Sequence, residues 1–351
     1  MPTTVSTEVL SVGVVGVGIQ GEGHVKCYHA IPNARVVAVC DANAERASVV
    51  AARYGAEAVC ASYEELFARA DIDAVSIALP DHLHRKASEQ ALAAGKHVLL
   101  EKPMATTVED AEAILAAQRA SGRKLMVNWS NRWMLAFSQT KGALDAGSLG
   151  DPLYCYARLN NTLYVPTQML SWSASTQLPF WLICHRLDIA RWYFGSEATR
   201  VTAVRRYGVL RGMGIDTPDF YQATIEFANG CVGNFESCWI LPETLPSIVD
   251  SKFQLICTKG YVNIDPLQPA HVRASDTKYE QPGYLAGDVM GEPTGFVREA
   301  IQHFVNCVLQ DRQPLITGED GLAITRTLCA IVQAAESGEA VALHWQPEKP
   351  K

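Results

Sequence analysis

The sequence predicts an α/β protein: a doubly wound parallel sheet over residues 1–127, then an α+β domain of largely antiparallel strands over residues 128–351. Three observations predict it. In the first half, short apolar β-rich runs alternate with helix-patterned stretches. The first of those runs leads straight into a glycine-rich turn. Beyond about residue 150 the apolar residues fall on alternate positions, as in half-buried strands.

The elements follow in order. "VLSVGVVGV" (residues 9–17) is short, apolar and β-rich, and a helix is expected from about Gly21 to Ala30. "ARVVAVCD" is the second strand, and "ANAERASVVAARYG" is a helix stopped by Gly55. "AEAVC", "IDAVSIALP" and "KHVLLE" are strands, separated by the helices "SYEELFAR" and "HLHRKASEQALAAG". "TTVEDAEAILAAQRASG" is a helix capped by Thr106 or Thr107, with an acid three residues on. "RKLMVNW" closes the series. These strands are continuously apolar, as buried parallel strands must be. In the second half, "DPLYCYARLN", "RVTAVRRYGV", "DFYQATIEFANGCVGNFESCWI" and "SKFQLICTKGYVNID" alternate, and Asn229-Gly230 marks a hairpin turn. "FVREAIQHFVNCVL" and "GLAITRTLCAIVQAA" have helical spacing, the latter opened by Thr317 and Asp320 in capping-box register.

A chain of 351 residues can bury two cores. With 48% apolar and 19% charged residues it is globular. A net charge of −7 without any basic run argues against nucleic acid and anionic membranes as partners. Ten scattered cysteines with no CxxC pair fit buried free thiols in a reducing compartment. No signal-like N-terminus or membrane-length apolar run is seen, so a cytoplasmic location is expected.

Gly16, Gly18 and Gly21 match GxGxxG between a strand and a helix, with Ile19 and Gln20 inside the turn. Asp41 lies twenty residues after Gly21, at the end of the second strand. In that context the pattern is the Rossmann dinucleotide fingerprint: glycines admit backbone amides to a pyrophosphate, and the acid accepts from the adenosine ribose hydroxyls. The plainer alternative is a glycine turn in an α/β domain that binds nothing. Asp41 repels a 2′-phosphate and Ala42 offers no cation, so NAD is expected; Arg46, one turn on, is the residue that would admit NADP.

Glu101, Lys102 and Pro103 stand together where "HVLL" ends, and ligands bind at the carboxyl ends of such strands. A lysine there can point over a nicotinamide, while the plain alternative is a surface ion pair. Here the chain resembles a known family. "VGVVGVGIQGEGH", "VVAVCDANAERA", "IALPDHLHRKASEQALAAGKHVLLEKPMATTVEDAE" and "FVNCVLQDRQPLITGEDGLAITRTLCAIVQAAESGE" are similar to the glucose–fructose oxidoreductase / inositol dehydrogenase family, most specifically in "AGKHVLLEKP". The resemblance implies that Lys102 touches both cofactor and reacting hydroxyl, lowering the hydroxyl pKa as hydride leaves. It implies that Pro80 and His84 line the cofactor and that Glu101 lies beside the nicotinamide ribose. "NWSNRW" would be the crossover into the second domain, with Asn128 and Arg132 toward the cofactor and Asn131 toward substrate. The second domain would carry a large open, mostly antiparallel sheet whose outer face commonly joins subunits, hence a homo-oligomer (dimer or tetramer).

"LPFWLICHRLDIARWYFG" is similar to the family's catalytic helix, Asp-x-x-x-His-x-x-Asp. His185 and Asp188 match, but Trp181 stands at the first acid. His185 is the implied general base, with Asp188 bracing the helix or the His. Trp181 offers an apolar face suited to the C–H side of a sugar ring. Tyr164 is the alternative replacement for the acid, and a degenerate site with His185 as a buried polar residue is the third reading. Trp172, and Arg158 and Asn160 at a strand end, are further candidate substrate ligands. "DHLH" (81–84) lacks a second ligand cluster, and His24 and His29 do not share a helix face, so no metal is expected. The expected activity is NAD(P)-dependent hydride transfer with a secondary alcohol of a sugar, sugar derivative or cyclitol. Two rivals are a lyase or glycosidase using bound NAD for transient oxidation, and a non-catalytic dinucleotide-binding sensor. The stretch 280–295, rich in Gly and Pro, is a candidate loop over substrate or toward a neighbouring subunit.

Overall fold

The computed structural model describes residues 8–265, 273–274, 279–280 and 286–345. It divides into two compact units: residues 1–133 with 286–322, and residues 134–285 with 323–351. The return of 286–322 to the first unit is something no linear division of the sequence expresses.

The first unit is built from β1 (Leu10–Val15), α1 (Ile19–His29), β2 (Ala34–Cys40), α2 (Ala44–Tyr54), β3 (Ala58–Val59), α3 (Tyr63–Ala68), β4 (Ala74–Ile77), α4 (His84–Ala93), β5 (His97–Leu100), α5 (Val108–Ser121) and β6 (Leu125–Val127). Its six strands are ordered β3-β2-β1-β4-β5-β6 and all pairings are parallel. β1 and β4 are buried at every position, because helices cover both faces of the sheet. The strand order reverses between β1 and β4, the switch point at whose carboxyl end open α/β sheets take their ligands. Thr107 caps α5 by accepting from Asp110 N, and Gly55 and Gly122 end α2 and α5 in left-handed conformation.

The second unit contains α6 (Leu135–Asp145), β7 (Pro152–Asn161), α7 (Cys184–Phe194), β8 (Ala198–Arg206), the short α8 (Val209–Gly212), β9 (Phe220–Phe227), β10 (Val232–Cys238), β11 (Val249–Cys257) and β12 (Tyr261–Ile264). Its seven-stranded sheet runs β12-β11-β7-β10-β9-β8 and ends on Val341–Ala342. Only β7 and β10 pair in parallel; the rest is antiparallel. One face is apolar: Cys155, Ala157, Leu159, Phe235, Phe253 and Leu255 are buried. Phe253 meets Phe137 of α6 and Tyr193 of α7 edge-on, at 5.6 and 5.7 Å between ring centres. The other face carries Tyr156, Arg158, Glu236, Lys252 and Gln254, which explains the period-two pattern of the sequence. The predicted hairpin forms between β9 and β10, with Gly230 at φ +86°.

Two late helices follow, α9 (Phe296–Leu309), packed on α1, and α10 (Gly318–Ser337). The capping box at α10 is reciprocal: Asp320 N donates to Thr317 Oγ1 and Thr317 N to Asp320 Oδ2. Of the stretch 280–295, residues 281–285 lie outside the described residues. Ala286–Val289 and Glu292–Gly295 form a hairpin that Lys26 holds through Asp288 within the first unit. None of the ten cysteines forms a disulfide, and most are buried. No helix among the described residues is long and apolar enough to cross a membrane.

Candidate active site

The glycine turn is shaped by close approach. Gly16 has φ +77°, and a Cβ there would stand 2.5 Å from the Ala78 carbonyl oxygen, on the loop after β4. A Cβ on Gly21 would overlap the Gly16 carbonyl oxygen, so α1 seats directly on the turn. Gly18 opens α1 without a side-chain cap, and Ile19 and Gln20 are exposed beside it. That leaves first-turn amides for an anionic ligand. Asp41 braces the turn: Oδ2 accepts from Val17 N at 2.8 Å and Oδ1 from Asn43 N at 2.8 Å. Each oxygen keeps a second lone pair for a ribose hydroxyl. Arg46 Nη1 lies 3.9 Å from Asp41 Oδ2, and 3.6 Å from where a Gly18 Cβ would be, so the cation borders the turn.

At the carboxyl ends of β4, β5 and β6 sits a buried polar cluster. His24, on the inner face of α1, is fully buried. Its Nδ1 is 2.7 Å from Ser76 Oγ of β4, and its Nε2 is 3.0 Å from Glu101 Oε1. Asn128 Nδ2 donates to the same Oε1 at 2.7 Å, and Lys102 N reaches Glu101 Oε2 at 3.3 Å. Burial by itself would raise the Glu101 carboxyl. The His24 hydrogen bond and charge, with Lys102 and Asn128, outweigh it and hold the group below the usual range. Glu101 is therefore an inward-turned carboxylate, whereas Lys102 is half-buried at the turn, before a cis bond to Pro103.

Asn128 Oδ1 is buried without a hydrogen-bond partner among the described residues. This is the condition expected of a carbonyl that accepts from a bound cofactor. With the glycine cradle, it makes the residues present fit a nicotinamide dinucleotide. His84 is fully buried, with Nδ1 2.8 Å from Pro103 O and Nε2 3.0 Å from Leu79 O. It ties the β4 and β5 loops together, so its ring nitrogens meet the protein's own carbonyls; burial pushes its pKa down. Pro80 is half-buried on the same loop. Arg132 is buried and donates to Leu315 O at 3.1 Å, and Asn131 is buried beside it.

In the second unit, Pro179–Ile183 forms a wide π-type turn that runs into α7. Trp181 and His185 are half-exposed, while Leu182–Cys184 and Arg186–Ala190 are buried. Trp172 packs edge-on against Trp181, with ring centres 5.5 Å apart and planes at 81°. Tyr164 is 38% exposed, on the turn before Val165–Met169. Asp188 is fully buried in α7. Arg186 points into the core toward Ser251 Oγ and the Phe137 ring, and burial pushes its pKa down to about 10.

Arg158 and Asn160 do not join this corner. They project from the face of β7 opposite the one α7 covers, where Arg158 pairs with Asp250 at 2.9 Å and Asn160 donates to Glu236 and Asp250. The two-residue period of the strand explains this placement: Ala157 and Leu159 face the helices, so their neighbours cannot.

Sequence reasoning missed His24 and Ser76. The signal was there: Gly21, His24, Val25 and Tyr28 form the inward stripe of α1, and a histidine in such a stripe must find polar partners.

The glycine turn, the ribose-side acid and the strand-end Glu-Lys-Pro define a dinucleotide-binding oxidoreductase. Comparison with known proteins places it further. The family described as "Oxidoreductase family, NAD-binding Rossmann fold" matches residues 10–129, and "Oxidoreductase family, C-terminal alpha/beta domain" matches residues 141–343. The chain belongs to this glucose–fructose oxidoreductase / inositol dehydrogenase family, and it is an NAD-binding enzyme. It is 39% identical to inositol 2-dehydrogenase 1 of Saccharopolyspora erythraea over 55% of this chain, which spans 57% of that relative's length. It is 27% identical to scyllo-inositol 2-dehydrogenase (NAD(+)) of Bacillus subtilis over 94% of this chain and 95% of that one. The scyllo-inositol dehydrogenase of Lactobacillus casei, solved with NAD(H) and scyllo-inositol, shares the fold at TM-score 0.81 and 23% identity, over 95% of this chain and 99% of that one.

Proposed function

We propose that the protein oxidises or forms a secondary alcohol on the ring of a sugar, sugar derivative or cyclitol. The observation that carries this reading is the Glu101-Lys102-Pro103 turn, braced from beneath, at the end of a strand two places from the glycine turn in the sheet. The relatives named as inositol dehydrogenases support the substrate class.

Bound NAD supplies the hydride acceptor. Gly16, Gly18 and Gly21, with Ile19 and Gln20, bring α1 amides to the pyrophosphate. Asp41 takes the adenosine ribose, and Arg46 borders it. Pro80, Glu101, Asn128 and Arg132 form the nicotinamide end, and His84 keeps the two loops in register. Lys102 stabilises the alkoxide that develops as hydride leaves, and His185 takes the hydroxyl proton. Trp181 and Trp172 give the substrate an apolar wall, while Asn131 and Tyr164 offer polar contacts. The polar face of the seven-stranded sheet is proposed as the self-association surface, which a light-scattering mass would check.

The test is reduced-nicotinamide absorbance on a panel of sugars, glycosides, sugar acids and inositols with NAD and then NADP. Net reduction on one class is the expected result. NAD binding without reduction, together with bond cleavage in the products, would replace this reading with transient oxidation and elimination.

A further inference from the structure

We infer that the Arg186 guanidinium, in the core of the second unit, binds a small monovalent anion such as chloride. Two of its nitrogens, Nε and Nη1, are enclosed there and meet no acceptor among the described residues.

Arg186 follows His185 in α7 but turns inward: His185 is half-exposed, whereas Arg186 is 2% exposed. Its Nη2 donates to Ser251 Oγ on β11, and the Phe137 ring centre lies 5.2 Å from Cζ. One hydroxyl and one ring therefore face a full positive charge. No carboxylate pairs with it among the described residues. The groups whose charge acts on it are the Tyr193 phenol and the Cys184 thiol, neither of which is ordinarily an anion at neutral pH.

That arrangement is costly. An arginine keeps its proton in a protein, and burial that pushes the group down to about 10 still leaves it charged at pH 7. A buried charge without a counter-ion costs free energy, and so does each buried N–H without an acceptor. A water meets the second cost only, because it accepts hydrogen bonds and brings no charge. An anion meets both. The surroundings select the kind of anion. Leu187, Ile189 and Ala190 follow Arg186 into the core, and Phe253, two residues from Ser251 on the same face of β11, meets Phe137 edge-on. Apolar neighbours penalise a strongly hydrated divalent ion and favour a compact monovalent one. Arg186 takes no part in the proposed reaction, so an anion held there stabilises the folded second unit.

The experiment compares full-length wild type with Arg186→Met in thermal melts. The buffer is sodium gluconate, replaced stepwise by chloride at constant ionic strength. The wild-type midpoint should rise by about 3 °C or more and then saturate, because a ligand of the folded state alone acts by mass action. Bromide should give the same gain, and sulfate should give no saturating gain. Arg186→Met should gain less than about 1 °C in chloride and bromide alike.

No saturating gain in wild type would overturn the proposal and leave water as the partner of the guanidinium. An equal gain in Arg186→Met would also overturn it, since the halide would then act elsewhere. Should Arg186→Met fail to fold, wild-type crystals grown with bromide at the half-saturating concentration decide. Anomalous scattering in contact with the Arg186 guanidinium is the expected result; bromide found only elsewhere, or none, refutes the site.

Discussion

The carboxyl end of the parallel sheet and the stretch from Tyr164 to Asp188 in the second unit solve different problems. In the first, groups are polar, buried and joined: His24, Ser76, Glu101 and Asn128 form one hydrogen-bonded cluster, and Asp41 and His84 each tie two loops. In the second, the half-exposed groups include His185 and two tryptophans, Trp172 and Trp181, set edge to face. A hydrogen-bonded cluster fixes positions of atoms; an aromatic wall fixes a shape and excludes water. The lesson is a division of labour: one region is specified atom by atom through hydrogen bonds, the other by the shape of an aromatic surface.

That contrast can be broken or sharpened. Lys102→Ala should lower turnover by about 10³-fold while NAD affinity stays within a few-fold, read by absorbance and by titration of NAD. Equal losses in both would make the turn a binding feature only. Gly21→Ala should cost about 3 kcal/mol of stability or weaken NAD binding correspondingly, since the added methyl meets the Gly16 carbonyl; thermal melts with and without NAD check this. His185→Ala should lower kcat by about 10²-fold with no change in NAD binding; a simultaneous loss of NAD affinity would contradict its assignment to proton transfer.

At the opposite end of β5, His97 provides a control. Burial, with the charges of Arg123 and Lys124, pushes its pKa down to about 4, and its Nδ1 accepts from Lys124 N at 3.1 Å. The unfolded chain, with a pKa near 6.5, therefore takes the proton first as pH falls. Stability should be full above about pH 6.5 and decline toward pH 4 by roughly 2 kcal/mol, after allowing for partial exposure. His97→Gln should flatten that slope in urea melts and leave turnover unchanged. The smallest effect belongs to the aromatic wall. Trp181→Asp should shift relative kcat/KM about tenfold toward polyhydroxylated cyclitols over glycosides with an apolar aglycone, because the wall can accept no hydroxyl hydrogen bond. No shift would remove Trp181 from the specificity surface.

Much of this was legible in the chain. Continuous apolar strands and the glycine spacing disclosed the parallel sheet and its glycine turn, because strands covered on both faces have no polar positions to confuse the pattern. Alternation disclosed the second sheet, and Asn229-Gly230 its hairpin. The same alternation, read one step further, would have put Arg158 on the wrong side of β7 for α7. His24 was discounted because it was weighed as a metal ligand against His29, which is exposed, when its partners were 52 and 77 residues away.

By itself the sequence determined the local geometry of this protein: where backbone must turn left-handed, where helices begin and stop, and which faces are apolar. These follow from steric limits and periodicity within a few residues. Only the tertiary structure decided that Glu101 turns inward, that His84 joins two loops, that residues 286–322 return to the first unit and that Trp172 meets Trp181. Those outcomes depend on which distant groups can satisfy a buried charge or fill a gap, and a polar side chain in a linear chain carries no mark of the partner it will meet.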